Sequence, residues 1–114
     1  MKIGVVGPCG SGKTTLVSGL TGLGLHACHI AQEHSYVPDM WQRLSRPDIL
    51  VYLHVSYPLT IARRKLVWTI TEYQEQLHRL RHARQNAQLF IDTDDLTSQE
   101  VLQHVQDFLV AQSA

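Results

Sequence analysis

A glycine-rich segment near the N-terminus constrains the fold of this chain more than any other feature. It matches the pattern G-x-x-x-x-G-K-[ST] at every fixed position, namely Gly7, Gly12, Lys13 and Thr14. The apolar run 2–6 precedes it and a helical pattern follows it. Glycines in such a loop let successive N–H groups wrap around an anion, and the following helix N-terminus adds its dipole. The segment therefore predicts a strand, a phosphate-binding loop and a helix.

Length and composition limit the class of protein. The 114 residues are 44% hydrophobic and 18% charged, which predicts one globular domain over residues 1–114. No apolar run approaches the ~20 residues that span a bilayer, so we expect no membrane association. The N-terminus also lacks the apolar stretch of a signal peptide. Because Cys9 and Cys28 make no disulfide framework, a reduced, cytoplasmic setting is expected.

The net charge of zero conceals two opposite segments. Residues 43–84 carry eight basic and three acidic side chains, whereas residues 85–114 carry five acidic side chains and no Lys or Arg. The neutral balance argues against a general nucleic-acid binder. The basic segment either pairs with the acidic tail or presents a surface to phosphate.

Apolar runs and helical patterns alternate along the chain, which favours an α/β fold of three layers with a small parallel sheet of about four strands. The predicted strands are 2–6, 25–31, 49–55 and 89–91. Four helices are predicted. The first runs from Lys13 to about residue 21, and the second begins near Pro58. The third ends at about residue 84, and the fourth follows a capping box formed by Thr97 and Glu100.

The third of these helices has a narrow apolar seam with alternating spacings of four and three residues. Its members are Leu66, Ile70, Tyr73, Leu77 and Leu80. Such a seam either packs on the sheet or pairs with a second copy of the chain. Trp41 and Trp68 are predicted to be partly buried anchors. Since so small a sheet leaves apolar surface to cover, we expect a homo-oligomer.

The loop and its surroundings resemble the nucleoside and nucleotide kinases, a branch of the P-loop NTPases. The resemblance rests on the form G-x-x-G-x-G-K-T-T and, more weakly, on segments 48–64 and 91–101. It implies a three-layer P-loop NTPase fold that binds ATP (or GTP) with Mg²⁺. The residues expected to bind the nucleotide are Gly7, Pro8, Cys9, Gly10, Ser11, Gly12, Lys13, Thr14 and Thr15. Among them, Lys13 would reach the β- and γ-phosphates and Thr14 would ligate Mg²⁺.

Phosphoryl transfer also needs an acidic group, and the sequence offers two. The base-reading and switch motifs of GTPases do not occur, and the strand 49–55 ends without the carboxylate of other ATPases. Glu33 follows a predicted strand, where ligands bind in open α/β sheets. Its context, Glu33-His34-Ser35, resembles the acidic-Arg-Ser motif of deoxynucleoside kinases, which implies a catalytic base and Mg²⁺ ligand. Asp39 is the alternative.

Two arginines and two histidine pairs are further candidates. Arg63 and Arg64 follow the strongest strand, where the resemblance implies that they clamp phosphate or stack on adenine; otherwise they form a solvated helix face.

The histidines at residues 26 and 29 point to opposite faces of a predicted strand and cannot easily share a metal ion. His78 and His82 lie four apart on a predicted helix and could share Zn²⁺, but no carboxylate or thiol completes a set.

The sequence supports two functions of different kinds. The first is a kinase-like phosphotransferase that passes the γ-phosphoryl group to a small-molecule acceptor or, slowly, to water. The second is a non-catalytic nucleotide-binding module with a regulatory role or a role in assembly. The chain is short for a kinase of this branch, so the acceptor site would come from residues 33–41 or from a neighbouring subunit.

Overall fold

A computed structural model describes residues 1–113 and contains one four-stranded, all-parallel sheet. The strands are β1 (Lys2–Val6), β2 (His26–His29), β3 (Ile49–His54) and β4 (Leu89–Asp92), in the order β2-β1-β3-β4. Val5 lies opposite His29 on one side and Val51 on the other. The predicted α/β class and the predicted number of strands are confirmed.

Helices cover both faces of the sheet and complete three layers. They are α1 (Lys13–Gly22), α2 (Met40–Ser45), α3 (Tyr57–Arg64), α4 (Ile70–Arg79), α5 (Arg81–Asn86) and α6 (Ser98–Ser113), with a 3-10 turn at Gln32–His34. Side chains of α1 and α6 pack on one face of the sheet. Trp41 of α2, Ala83 of α5 and Leu80 between α4 and α5 pack on the other face.

The central strand β3 shows why the sheet is buried on both sides. Ile49, Val51 and Leu53 point into the core shared with α1 and α6, whereas Leu50 and Tyr52 point into the opposite core. All five side chains are buried. A continuous apolar run of this kind is typical of an interior parallel strand, since neither face can be polar.

The long helix predicted through the apolar seam is wrong at its start and in its continuity, whereas its predicted end near residue 84 lies close to the end of α5 at Asn86. Helix α3 ends at Arg64, the next residue Lys65 has a positive φ of 52°, and α4 begins only after Thr69. The Thr69 hydroxyl accepts the Glu72 N–H and the Glu72 carboxylate accepts the Thr69 N–H, which fixes the helix start. Leu80 then separates α4 from α5. The seam is divided accordingly: Tyr73 is buried, whereas Ile70 is half exposed.

The predicted capping box of α6 is confirmed. Thr97 N–H donates to Glu100 Oε1 at 3.0 Å, and Glu100 N–H donates to Thr97 Oγ1 at 3.1 Å. The hydrogen bonds from Thr97 lower the pKa of the Glu100 carboxyl below its ordinary value. A carboxyl whose pKa is lower when folded stabilises the fold above its unfolded pKa, and this stabilisation is lost as the pH falls through the folded pKa.

Replacing Glu100 with glutamine is therefore expected to destabilise the protein near neutral pH and to have little effect in acid. Urea unfolding of the parent and Glu100→Gln at about pH 7 and about pH 3 measures the difference. Asp95→Asn is the control, because Asp95 is an exposed carboxylate outside the capping box. An equal loss of stability at both pH values would contradict the role of the charged carboxylate.

The structure also bears on two further expectations, membrane association and charge pairing. None of the described helices is long and apolar enough to span a bilayer. In the described part of the chain, no ion pair joins the basic segment 43–84 to a carboxylate of the acidic tail.

Candidate functional site

The glycine-rich loop connects β1 to α1 at the carboxyl end of the sheet. Gly10 and Gly12 have φ values of 86° and 95°, the left-handed conformation that glycine adopts without a steric cost. Ser11 N–H donates to Pro8 O at 3.2 Å and tightens the loop. No side chain caps α1, so its first N–H groups stay available to an anion.

Lys13 and Glu33 form a buried ion pair beside this loop. Lys13 Nζ lies 2.9 Å from Glu33 Oε2, and the two side chains are only 6% and 3% exposed. The same ammonium donates to Gly7 O at 2.8 Å and to Pro8 O at 3.2 Å. Glu33 Oε1 is buried and has no hydrogen-bond partner among the described residues. The structure thus brings the predicted acid to the predicted lysine.

An open cleft of about 410 Å³ collects most of the predicted site residues. It is lined by Cys9, Gly10, Gly12, Lys13, Thr14, His29, Glu33, His34, Arg64 and Leu66. Thr14 is exposed, so its hydroxyl and the Glu33 carboxylate offer oxygen ligands to one cleft, as Mg²⁺ prefers. Burial, followed by repulsion from the Lys13 ammonium, lowers the pKa of His29, so its imidazole is neutral near pH 7.

The two arginines have different surroundings. Arg63 donates through Nη1 to Thr93 O at 2.9 Å and through Nη2 to Asp94 O. Arg64 lies over the loop: a Cβ built on Gly12 would be 3.7 Å from its Nη2. Arg63 therefore braces the segment after β4, whereas Arg64 faces the loop.

A second, smaller cavity of about 70 Å³ lies between the loop and that braced segment. Its lining includes Thr15, both arginines, Thr93 and Leu96. The Thr93 hydroxyl donates to His54 O at 2.8 Å, and Asp94 Oδ1 accepts the Ser56 N–H at 2.8 Å. The segment after β4 is therefore fastened to the end of β3.

The alternative acid, Asp39, pairs with an arginine of α2. Its carboxylate lies 2.9 Å from Arg43 Nε in an ion pair along α2, and the arginine is 65% exposed. Glu33, and not Asp39, is the carboxylate beside Lys13.

Two buried glutamines hold the site together, and sequence reasoning missed both. Gln32 donates to Val37 O at 2.9 Å and to Arg79 O at 3.2 Å, and accepts the Trp41 N–H at 2.7 Å. It fastens the turn that carries Glu33. Gln76 Oε1 accepts the Cys9 N–H at 2.9 Å and so fixes the loop to α4. The sequence carries no local signal for either contact.

The sequence offered His78 and His82 as a pair that could share Zn²⁺ but lacked a completing ligand. His78 lies on α4 and His82 on α5, and His82 Nδ1 lies 3.1 Å from Trp41 Nε1, which donates to it. Neither histidine belongs to the group of possible metal ligands found among the described residues. A thiol and a carboxylate approach a different histidine: ligand atoms of Cys9, Glu33 and His34 all lie within 4.8 Å of one another.

Comparisons with known proteins support the fold. No protein-family model and no curated protein matches the sequence. Among solved structures, one described as shikimate kinase from Acinetobacter baumannii in complex with shikimate matches with a TM-score of 0.66 and 16% identity. The match covers 97% of this chain and 93% of that one. The chain therefore shares the three-layer α/β fold of that structure, in agreement with the fold that the resemblance to nucleoside and nucleotide kinases implied.

Proposed function

We propose that this protein binds ATP (or GTP) with Mg²⁺ and transfers the γ-phosphoryl group to a small molecule or, slowly, to water. The observation that carries the proposal is the buried ion pair of Lys13 and Glu33 at the phosphate-binding loop. This pair shares its cleft with Thr14 and Arg64. A cation, an acid, a hydroxyl and a loop of N–H donors are the groups that phosphoryl transfer requires.

Each group has a distinct task in this proposal. The loop N–H groups hold the phosphates, and Lys13 exchanges its contacts with the Gly7 and Pro8 carbonyls for phosphate oxygens. Thr14 and Glu33 fit Mg²⁺, because both offer oxygen and Glu33 Oε1 has no other described partner. The bound ion would neutralise charge on the β- and γ-phosphates. Glu33 would also orient the attacking group.

The nucleotide base has a candidate location in the smaller cavity. There Thr15 and Arg64 face the segment that Arg63 braces. A guanidinium plane suits both stacking on a base and binding a phosphate. No described ion pair joins Arg64 to the acidic tail, and its guanidinium is available to the ligand's charge.

A candidate acceptor site adjoins the Glu33 turn. A cavity of about 360 Å³ lies between the end of β2 and α2, and its lining includes His29, His34, Ser35 and Trp41. Its position agrees with the acceptor segment 33–41 expected from sequence. The structural neighbour holds shikimate, which supports a small molecule as the acceptor.

A steady-state assay of ADP or GDP release tests the proposal. Mg·ATP and Mg·GTP are supplied alone and with a panel of nucleosides and small hydroxylated acids. Replacing Glu33 with glutamine is expected to lower turnover at least about 10²-fold, since a positioned acid or base contributes about that factor. Asp39→Asn is the matched control and should retain turnover.

The outcomes separate the alternatives. Nucleotide bound at micromolar affinity without turnover would indicate the non-catalytic module. Failure of both nucleotides to bind at millimolar concentration would contradict nucleotide binding altogether.

Replacing Arg64 with alanine is expected to weaken nucleotide binding about 10-fold while leaving stability nearly unchanged. Arg63→Ala should instead lower the free energy of unfolding by about 1 kcal/mol, because the Thr93 and Asp94 carbonyls lose their donor. Calorimetric titration with ATP and urea unfolding measure the two effects, and Arg81→Ala is the control. Equal effects of the two substitutions on binding would contradict the division of roles.

We also propose self-association and a cytoplasmic location. Val67 and Ile70, on either side of the Thr69 cap, are exposed apolar side chains, and contact with a second copy would cover them. Both cysteines are free, which suits a reducing compartment. A monomer mass by light scattering at micromolar concentration would contradict self-association.

A further inference from the structure

Three side chains of different chemistry converge at the mouth of the phosphate-binding loop. Cys9 Sγ lies 3.8 Å from His34 Nε2, and His34 Nε2 lies 3.9 Å from Glu33 Oε2. All three ligand atoms lie within 4.8 Å of one another. They come from two segments, the loop after β1 and the 3-10 turn after β2, so the fold creates this juxtaposition.

The spacing suits a tetrahedral metal ion. Ligand atoms about 2.0–2.3 Å from a zinc ion in tetrahedral geometry are about 3.5 Å apart. The two separations that involve His34 Nε2 are a few tenths of an ångström longer, and the ligand atoms of Cys9 and Glu33 lie within 4.8 Å of each other. Rotations of the side chains can close these distances. His34 is 60% exposed, so its ring has room to rotate.

The chemistry of the three ligands selects the metal. A thiolate and an imidazole bind zinc and similar ions strongly, whereas Mg²⁺ prefers oxygen alone. Three protein ligands also leave a fourth tetrahedral position for water or a substrate oxygen, the arrangement typical of an accessible zinc ion.

Two further observations support a built site. Glu33 Oε1 is buried and has no described hydrogen-bond partner, whereas Oε2, the oxygen 3.9 Å from His34 Nε2, contacts Lys13. A buried carboxylate oxygen without a partner is costly, and a cation bound by the carboxylate would offset that cost. Gln76 holds Cys9 in place, since Cys9 N–H donates to its Oε1 and its Nε2 lies 3.2 Å from Cys9 Sγ.

We propose that Cys9, His34 and Glu33 form a binding site for Zn²⁺ or a chemically similar divalent ion beside the phosphate-binding loop. Metal binding draws Glu33 away from Lys13 and competes with the use of that carboxylate in phosphoryl transfer. Zinc therefore inhibits nucleotide turnover. This consequence rests on the proposed function, whereas the metal site itself does not.

Titration of the reduced, metal-free protein with Co²⁺ tests the site in the absence of nucleotide. The expected result is a near-ultraviolet band from cobalt–thiolate charge transfer, together with visible bands of a tetrahedral ion, all removed by added Zn²⁺. Cys9→Ser should abolish the thiolate band. His34→Ala should weaken cobalt binding at least about 10-fold. Circular dichroism confirms that each variant is folded.

Cys28→Ser is the matched control and should bind cobalt as the parent does, because Cys28 lies on β2 outside the cluster. A missing thiolate band in the parent, a band that persists in Cys9→Ser, or a band lost in Cys28→Ser would each overturn the proposal. Turnover rates are then measured for each variant with and without added Zn²⁺, and the ratio of the two rates is compared between variants. Cobalt binding without any nucleotide turnover would contradict the proposed function and leave the metal site intact.

Discussion

Replacing Lys13 with methionine is expected to abolish nucleotide binding and turnover and to lower the free energy of unfolding by about 3–5 kcal/mol. The first effect follows from the loss of the cation that would contact phosphate. The second follows from Glu33, which is 3% exposed and would keep a buried charge with no partner. For a chain of this size the melting temperature should fall by more than about 10 °C.

A second substitution separates the two effects. In Lys13→Met/Glu33→Gln no buried charge remains, and replacing a whole buried ion pair by neutral groups is often nearly neutral for stability. We therefore expect the double variant to recover most of the lost stability and none of the nucleotide binding. Scanning calorimetry and ATP titration measure the two quantities.

Lys65→Met is the control for this series, because Lys65 is exposed. If the single Lys13 variant were as stable as the parent, the buried ion pair would not contribute as the structure indicates. If the double variant stayed as unstable as the single one, Lys13 would stabilise the fold by other means, such as its bonds to Gly7 O and Pro8 O.

Features encoded within a few consecutive residues were predictable from sequence. The loop motif fixed the order of β1, loop and α1, and the reciprocal bonds of Thr97 and Glu100 start α6. Glu33 was predictable for a less local reason: it follows β2, and the carboxyl ends of parallel strands share one edge of the sheet.

Features that depend on distant contacts were not predictable. Gln76 contacts Cys9, which is 67 positions away in the sequence, and Gln32 contacts the carbonyl of Arg79, which is 47 positions away. Nothing near either glutamine in sequence distinguishes it from a solvated one. Arg63 and Arg64 are adjacent, yet one helical step turns them about 100° apart and gives them different neighbours.

The apolar seam shows a conflict between periodicity and capping. Its regular spacing predicts one helix, but the Thr69 and Glu72 capping box begins α4 inside the seam. Hydrogen bonds to otherwise unpaired N–H groups fix where a helix starts, whereas apolar spacing only indicates which face is buried. Thr69 and Glu72 have the spacing of a capping box, but the prediction from apolar spacing did not use it.

Replacing Gly7 with alanine is expected to lower the free energy of unfolding by about 3 kcal/mol or more and to weaken nucleotide binding at least 10-fold. A Cβ on Gly7 would lie 2.3 Å from Leu53 O and 2.7 Å from Ser11 Oγ. The first neighbour is backbone of the buried strand β3 and cannot move without disturbing the sheet. The loop would move instead, and its N–H groups would lose their arrangement.

Two other glycines distinguish crowding from backbone conformation. Gly12→Ala places its Cβ 3.7 Å from the nearest described atom, the flexible Arg64 Nη2, so its cost of about 1–2 kcal/mol comes from the φ of 95°. A Cβ built on Gly22, at the end of α1, would meet no described atom within 4 Å beyond its chain neighbours and its own helix backbone, and alanine there should be neutral or slightly stabilising. Urea unfolding should therefore rank the losses as Gly7, Gly12, Gly22. A Gly7→Ala variant as stable as Gly12→Ala would show that the loop does not lie against the Leu53 carbonyl as described. The packing of Gly7 would then not explain how Lys13 is positioned beside Glu33.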